Sequence, residues 1–262
     1  MKDCSGNNYQ VFTKAKVLNA SPVKNSDGSL NSSVFSLVLK ADGEKKLKSA
    51  PGQFFLLKSC KTDTLLGRPI SVYQNTDDKI EFLILKKGSG TQALCCLEQG
   101  LDVEVLGPLG NTFPEPKENS KPCIIGGGIG VAPVAGFASS LKEKSYDFYA
   151  SFKSGAYGLE HIKPANLVIS TDDGSVGTHG MLPVVFSAQV IKEKGYTQVY
   201  ACGPTPMLAY IQSECAKAGV KSYLSMENRM ACGMGACLGC TIVTTEGNRR
   251  CCKTVLFLKV KN

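Results

Sequence analysis

The sequence predicts a β-barrel domain, then an α/β domain with a parallel sheet, and finally a short cysteine-rich segment. Three observations predict this fold class: alternating apolar runs before residue 107, strand-then-helix patterns after residue 121, and five cysteines within residues 232–252. Alternation with a period of two is typical of half-buried strands, and strands that alternate with helices form parallel sheets. We expect the barrel at residues 1–113, the α/β domain at 114–226 and the last segment at 227–262.

The barrel prediction rests on six short apolar runs separated by turn-forming residues. The turns include Asn25-Ser26-Asp27-Gly28 and Ala50-Pro51-Gly52, at the spacing expected of antiparallel strands. The predicted strands are residues 9–18, 33–40, 53–58, 69–74, 79–85 and 102–106. Only residues 91–98 have a helical pattern in this part of the chain.

The α/β prediction begins after the polar, proline-containing stretch 114–121. Strands are predicted at 123–126, 146–152, 166–170 and 198–202, and helices at 131–141, 181–193 and 204–217. Such an alternation favours a mostly parallel sheet that is covered by helices on both faces.

Composition and charge exclude several classes of function. The chain is 43% apolar and 20% charged, which is typical of a globular protein. It has no run of roughly 18 apolar residues, and its first ten residues lack the apolar core of a signal peptide, so we expect a cytoplasmic protein that does not enter a membrane. The net charge of +8 is spread over single or paired lysines without interleaved aromatic residues, so we expect no nucleic-acid binding.

Cysteine spacing gives the most specific signal in the sequence. Cys232, Cys237 and Cys240 have the separations of a plant-type [2Fe-2S] site, and a further thiol follows at Cys251 or Cys252. The intervening glycines allow a tight loop around two irons. A structural zinc site and a group of buried thiols are the alternatives, although zinc sites usually pair two short-spaced knuckles.

The fourth ligand is ambiguous because two cysteines are adjacent. Neighbouring side chains of an extended segment point in opposite directions, so only one of Cys251 and Cys252 can face the cluster. We predict a hairpin over the cluster, with strands at 241–245 and 249–258 and a turn at 246–248.

A glycine-rich turn and two cationic loops indicate binding of phosphate groups. Gly126–Gly130 lies between a predicted strand and a helix that Pro133 is suited to begin, as in dinucleotide-binding βαβ units. Arg68-Pro69-Ile70-Ser71 combines a guanidinium with a hydroxyl, and residues 86–91 offer cations ahead of a short helix. By composition alone, either of the last two could be an ordinary turn.

Together these motifs resemble those of ferredoxin-NADP reductase-like proteins with a C-terminal [2Fe-2S] segment. The chain is most similar to the electron-transfer subunits of type B, NAD-linked dihydroorotate dehydrogenases. The resemblance covers nearly the whole chain and rests on eight motifs in this order: PGQFF, GRPISV, KKGSGT, GPLGN, GGGIGVAP, TDDGSVGTHG, YACGPTPML and MENRMACGMGACLGC.

The resemblance implies an FAD in the barrel, a nicotinamide site on the α/β domain, and a cluster that faces a partner subunit. The residues implied for FAD are Arg68, Pro69, Ile70, Ser71, Leu85, Lys86, Lys87, Gly90 and Thr91. Those implied for NAD are Gly127, Gly128, Ile129, Gly130, Asp172, Asp173, Gly174, Cys202, Gly203 and Pro204. Those implied for the cluster are Cys232, Cys237, Cys240 and, by ungapped matching to Phe257, Cys251.

The implied function is electron transfer in the oxidation of dihydroorotate to orotate, a step of pyrimidine biosynthesis. Electrons would leave the FMN of a catalytic partner subunit, pass the [2Fe-2S] cluster and FAD, and reach NAD⁺, in a heterotetramer with two copies of each subunit. Flavin is needed because it exchanges both hydrides and single electrons. No catalytic residue is expected in this chain, whose histidines are His161 and His179.

The chain also departs from the family it resembles. Cys252-Lys253-Thr254-Val255 stands where the family has Asp-Gly-Pro after its fourth cysteine, and Gly67 stands where a second arginine is frequent. These departures keep open an NAD(P)H-dependent ferredoxin or sulfur reductase subunit, and a zinc-stabilised nucleotide-binding regulator. Lys153 alone does not decide between NAD and NADP.

Overall fold

The structure, a computed structural model, describes residues 11–42, 46–61, 63–76, 78–244 and 247–253. These residues form a closed six-stranded barrel, a six-stranded parallel sheet and a two-stranded hairpin. The predicted fold class is confirmed. Residues 9–10 of the first predicted strand lie outside the described residues.

The barrel consists of antiparallel strands in the order β1-β2-β5-β4-β3-β6. Its elements are β1 (Val11–Lys24), β2 (Leu30–Ala41), β3 (Phe54–Ser59), β4 (Arg68–Asn75), β5 (Ile80–Leu85), α1 (Ser89–Cys95) and β6 (Asp102–Leu109). The interior is apolar, and Phe55 and Phe82 meet edge to face with their ring centroids 5.9 Å apart. Strand β1 continues beyond the predicted end at residue 18 because a register shift between Val17 and Asn19 keeps it paired with β2.

The second sheet is parallel throughout, in the order β10-β9-β8-β7-β11-β12. Its elements are β7 (Pro122–Gly127), α2 (Val131–Ser139), β8 (Asp147–Phe152), β9 (Asn166–Thr171), β10 (Thr178–His179), α3 (Ala188–Lys194), β11 (Gln198–Cys202), α4 (Thr205–Ala218) and β12 (Lys221–Ser225). The strand order reverses at β7, and in such sheets ligands bind at the carboxyl ends of the strands beside this switch point.

Three elements of this half differ from the sequence prediction, and one of them is strand β10, for which no strand was predicted. The helix predicted at 181–193 is divided into a short 3-10 turn at Leu182–Val184 and helix α3. The Ser187 hydroxyl caps α3 by accepting the N–H of Val190, so the helix cannot begin before it. Strand β12 was not predicted.

One apolar core extends from the barrel into the parallel sheet, and a second fills the barrel interior. Phe113, which follows the barrel, stacks on Phe137 of α2 with ring centroids 4.9 Å apart. Gly136 of α2 lies against the β4 backbone, so closely that a Cβ at this position would be 2.5 Å from the Tyr73 carbonyl oxygen. The predicted domain limits at 113 and 226 remain predictions, and this apolar core includes residues on both sides of each limit.

The hairpin is formed by β13 (Thr241–Thr244) and β14 (Gly247–Arg250). Thr244 pairs with Gly247, so the second strand begins inside the predicted turn 246–248. The second strand ends at Arg250, and residues 251–253 form a turn. Residues 245–246 and the predicted continuation at 254–258 lie outside the described part of the chain.

None of the helices in the described part of the chain has the length and apolar character needed to cross a bilayer.

Candidate functional site

The two cationic motifs of the barrel meet at the start of α1. The Arg68 guanidinium lies directly over Gly90, where a Cβ would come within 2.8 Å of its Cζ atom. Its Nη1 donates to the carbonyl of Leu66 at 3.2 Å. Because Gly90 leaves room for the guanidinium, the structure brings together two motifs that lie about twenty residues apart in the sequence.

The Thr91 hydroxyl shapes this loop. It accepts the backbone N–H groups of Lys87 at 3.0 Å and Gly88 at 3.1 Å, and it donates to the Gly88 carbonyl. Lys86 Nζ lies 5.1 Å from the centroid of the Phe35 ring. Thr91 therefore holds the backbone of the cationic loop. Lys87, in the same loop, is exposed.

A crevice of about 490 Å³ connects the barrel to the glycine-rich turn. Val34 and Leu85 line it from the barrel, and Gly128, Ile129 and Phe152 line it from the parallel sheet. Residues predicted for FAD and for NAD thus face one another across a single gap.

A second cavity, of about 450 Å³, lies at the carboxyl ends of β7, β8 and β9. Its lining includes Gly127, Gly128, Asp172, Pro204 and Tyr210. This is the edge at which a parallel sheet with this strand order binds nucleotides.

Close backbone packing explains the glycines of this edge. A Cβ at Gly130 would lie 2.6 Å from the carbonyl carbon of Cys202, and one at Gly203 would lie 3.1 Å from Gly127 Cα. The turns after β7 and β11 therefore touch backbone to backbone. Cys202 itself is buried, and burial raises the pKa of its thiol above the ordinary value.

The two adjacent aspartates after β9 have different surroundings. The Asp173 carboxylate accepts the backbone N–H of Ser175 at 3.0 Å and its hydroxyl at 2.6 Å. Hydrogen bonds from the hydroxyls of Ser154 and Ser175 lower the pKa of Asp173 to about 2. Asp172 lines the cavity instead. Gly174 follows in a left-handed conformation and contacts the ring of His179.

A larger cavity, of about 690 Å³, lies at the opposite edge of the sheet, between residues 112–122 and the C-terminal end of α2. It contains none of the residues predicted for cofactors. A site chosen by cavity size alone would therefore lack the residues predicted to bind cofactors.

The cysteine loop gathers two pairs of thiols. In the first pair, the N–H of Cys237 donates to Cys232 Sγ at 3.4 Å. This bond, with further backbone N–H donors at Met234 and Ala236, lowers the pKa of Cys232 to about 6. Gly233 and Gly235 both have positive φ angles, so the loop can turn its N–H groups inwards.

The second pair is Cys240 and Cys252, whose sulfur atoms are 3.2 Å apart. The N–H of Cys252 also points at Cys240 Sγ, at 3.5 Å. Cys251, which ungapped matching favours as the fourth ligand, instead uses its N–H to bond the Cys240 carbonyl at 3.1 Å. The structure therefore brings the neighbour of the predicted fourth ligand to the Cys240 thiol.

These residues fit a two-iron centre. In the described residues, no three Cys, His, Asp or Glu side chains form a group suited to a single metal ion. Two pairs of thiols are the ligand set that a [2Fe-2S] cluster takes, because its four cysteines are shared between two irons. Inward-pointing N–H groups add the hydrogen bonds that such sulfurs accept.

The loop between the first two thiols rests on the barrel. A Cβ at Gly233 would lie 2.8 Å from Leu109 Cδ1 and 2.9 Å from Leu56 Cδ1. Leu56 pairs with Pro69 across β3 and β4, so the loop lies one strand away from the Arg68 motif. Sequence reasoning missed both leucines. They lie in or beside the motifs GPLGN and PGQFF, but apolar strand residues carry no signal of their own.

Comparison with known proteins agrees with this arrangement. Residues 227–254 match the family model of the iron-sulfur cluster binding domain of dihydroorotate dehydrogenase B. The solved structure of an NADH-dependent reduced ferredoxin-NADP oxidoreductase shares the fold, with a TM-score of 0.77 at 19% identity over 94% of this chain and 89% of that one. A ferredoxin reductase of carbazole 1,9a-dioxygenase gives a TM-score of 0.63 at 20% identity, over 82% and 68%.

Two curated relatives are similar over most of their length. One, from Clostridium acetobutylicum, is 40% identical over 84% of this chain and 87% of its own. The other, from Clostridium perfringens, is 35% identical over the same shares. Both are named dihydroorotate dehydrogenase B (NAD(+)), electron transfer subunit. The resemblance found in the sequence is confirmed, and the chain belongs to the family of dihydroorotate dehydrogenase B electron transfer subunits.

Proposed function

We propose that this chain connects dihydroorotate oxidation on a catalytic subunit to the reduction of NAD⁺, as an oxidoreductase subunit that binds FAD, a [2Fe-2S] cluster and NAD. The observation that carries this proposal is the presence of two thiol pairs on a loop that packs against the barrel, one strand away from Arg68. Family membership favours this function over a ferredoxin or sulfur reductase and over a zinc-stabilised regulator.

The barrel residues around Arg68 would hold FAD. The guanidinium over Gly90 is a bidentate donor suited to a phosphate, and the backbone that Thr91 fixes presents Lys87 beside it. Pro69, Ile70 and Ser71 follow on β4, and Leu85 lines the crevice that leads to the sheet. When bound, the flavin would supply the exchange between hydride chemistry and one-electron chemistry.

The cavity at the carboxyl edge of the sheet would hold NAD. Gly127–Gly130 and the turn from Cys202 to Pro204 form one backbone-lined wall, which a pyrophosphate can approach closely. Asp172 faces this cavity and is placed to accept a ribose hydroxyl, whereas Asp173 is engaged by Ser154 and Ser175. A carboxylate there disfavours the 2′-phosphate of NADP by charge repulsion.

Cys232, Cys237, Cys240 and one thiol of the Cys251-Cys252 pair would hold the cluster. Beside them, Met234 and Leu238 expose 44% and 60% of their surface. Exposed apolar side chains around a redox centre support docking of a partner at this face. The family name implies a catalytic subunit; that it carries FMN and forms a complex with two copies of each chain belongs to the proposal.

The free thiols of the described cysteines support a cytoplasmic location, because cysteines remain reduced there.

The test replaces one thiol of the first pair. Cys237→Ser, purified without oxygen, is expected to lose most of its iron and acid-labile sulfide but to keep its flavin, because the barrel contacts are unchanged. With the catalytic subunit added, dihydroorotate-dependent NAD⁺ reduction should fall roughly tenfold or more. Oxidation of NADH by a dye that takes electrons directly from flavin should persist.

Cys60→Ser is the matched control, since Cys60 is an exposed thiol at the end of β3. It should match the unchanged protein in iron, flavin and both activities. Full iron content in Cys237→Ser, or an unchanged protein that contains neither iron nor sulfide, would contradict the cluster assignment.

Light scattering of the co-purified complex measures the stoichiometry of the two subunits. A mass equal to one copy of each chain would exclude a complex with two copies of each.

A further inference from the structure

We infer that Cys252 is the fourth thiol of the cluster and that Cys251 is a buried thiol that does not ligate iron. This inference rests on the proposed cluster and reverses the choice that ungapped sequence matching makes. It concerns the position at which this chain departs from the Asp-Gly-Pro of the family it resembles.

The surroundings of Cys252 are those of a ligand. Its Sγ lies 3.2 Å from Cys240 Sγ. It also interacts with Cys232 of the other thiol pair and accepts the N–H of Gly235 in the loop. Cys252 therefore faces both thiol pairs and one of the inward-pointing N–H groups.

The surroundings of Cys251 are different. The groups that interact with its thiol include Cys240, Cys252 and Glu227, and its N–H donates to the Cys240 carbonyl at 3.1 Å. Both thiols are buried in the same apolar core, so burial does not separate them. Their contacts do, because Cys251 meets Cys240 through a backbone hydrogen bond and Cys252 meets it sulfur to sulfur.

A turn explains why the later cysteine reaches the loop. The hairpin ladder ends where Thr241 pairs with Arg250. The N–H of Lys253 then bonds the Arg250 carbonyl at 2.9 Å, so that Cys251 and Cys252 occupy the middle of a tight turn. Arg250 Nη1 donates to the Gly235 carbonyl at 2.6 Å and fixes this turn against the loop. Ungapped matching to Phe257 compares positions in the sequence only and carries no information about this turn.

The experiment compares Cys251→Ala with Cys252→Ala in the full chain, each purified without oxygen. Iron and sulfide per chain, the visible absorption spectrum and the paramagnetic signal of the reduced protein are measured, with flavin content as the readout of folding. We expect Cys251→Ala to keep its iron and its signal unchanged. Cys252→Ala should lose most of its iron while it keeps flavin.

Serine variants provide a second measurement, because an oxygen ligand that replaces a thiolate shifts the absorption and the paramagnetic signal even where iron is retained. Such a shift should occur in Cys252→Ser and not in Cys251→Ser. Iron loss or a shifted signal in the Cys251 variants, or unchanged properties in both Cys252 variants, would overturn the inference. Failure of the cluster proposal itself is distinguishable, because the unchanged protein would then contain no iron and sulfide.

Discussion

At the scale of single residues, Arg68 is the side chain on which we expect flavin binding to depend most. It is the one cation that the structure places over Gly90, at the start of the loop whose backbone Thr91 holds. Lys86 lies over the Phe35 ring instead.

Arg68→Ala is expected to weaken FAD binding by roughly ten- to a hundredfold, because a hydrogen bond to a charged group contributes about 1.5–3 kcal/mol. The measurement is flavin per chain after gel filtration, followed by titration of the apoprotein with FAD. Lys79→Ala removes an exposed cation elsewhere on the barrel and should keep full flavin. Stoichiometric flavin in Arg68→Ala would remove this residue from the site.

The aspartate pair gives a second test at this scale. Asp172→Ala should weaken binding of NADH by about tenfold and reduce its preference over NADPH, because it removes both the ribose acceptor and the charge that repels a 2′-phosphate. Titrations with the two nucleotides measure the ratio. An unchanged ratio would show that another residue discriminates.

Asp173→Asn is the matched control and should leave that ratio unchanged while lowering the melting temperature. The pKa of Asp173 is lowered from 3.8 to about 2, so its contribution to stability is present above pH 3.8 and is lost as the pH falls through 2. The difference in melting temperature between Asp173→Asn and the unchanged protein should therefore shrink over that interval.

Sequence reasoning predicted these residues as groups, without the differences in their surroundings that the structure shows. Asp172 and Asp173 were predicted together, as were Lys86, Lys87 and Thr91. The members of each group differ in whether their side chains form hydrogen bonds with neighbouring residues. Those hydrogen bonds depend on the conformation of turns such as Asp173–Ser175. The choice between Cys251 and Cys252 depends in the same way on a turn that periodicity does not reveal.

At the scale of elements, we expect the contact between the cysteine loop and the barrel to set the distance between the proposed cofactors. Gly233 combines a left-handed backbone, at φ +66°, with close contact to Leu56 and Leu109. A side chain here must push the loop away from β3 and β6, since both leucines are buried in the core.

Gly233→Ala is expected to slow electron exchange between the flavin and cluster, with flavin content unchanged, because overpacking of about 1–3 kcal/mol displaces the loop. The measurement is the rate at which NADH bleaches the cluster absorption after it has reduced the flavin. Gly247→Ala is a matched control, since Gly247 also has a positive φ but nothing within 4 Å of an added Cβ. Equal rates in the two variants would show that the contact does not set the distance.

Elements with a clear pattern were predicted well, and those fixed by their neighbours were not. All six barrel strands follow from alternation, and the register shift that extends β1 does not. Strand β12 is short and its pattern is weak, yet it lies beside β11 because five backbone pairs hold it there. Helix α3 begins late because of the Ser187 cap, which is visible in the sequence once 181–186 is recognised as a separate turn.

At the scale of the whole molecule, the fold class and the order of the cofactor motifs could be predicted from the sequence, and the way the halves fit together could not. Alternation, the change to strand-then-helix patterns, and the cysteine spacing are local signals. The crevice between Leu85 and Gly128 forms where the barrel meets the glycine-rich turn, which no local pattern reveals. One apolar core then includes barrel residues, sheet residues and the thiols Cys240, Cys251 and Cys252.

The seam between α2 and β4 has a consequence for exchanging parts between related reductases. Gly136 meets the Tyr73 carbonyl with no side chain between them, so helix and strand are as close as two backbones can be. A barrel grafted from a relative with a bulkier seam would sit farther from the sheet by the thickness of a methyl group or more. The gap across which a hydride must travel would widen by the same amount, and such a chimera would keep both of its pockets while losing their alignment.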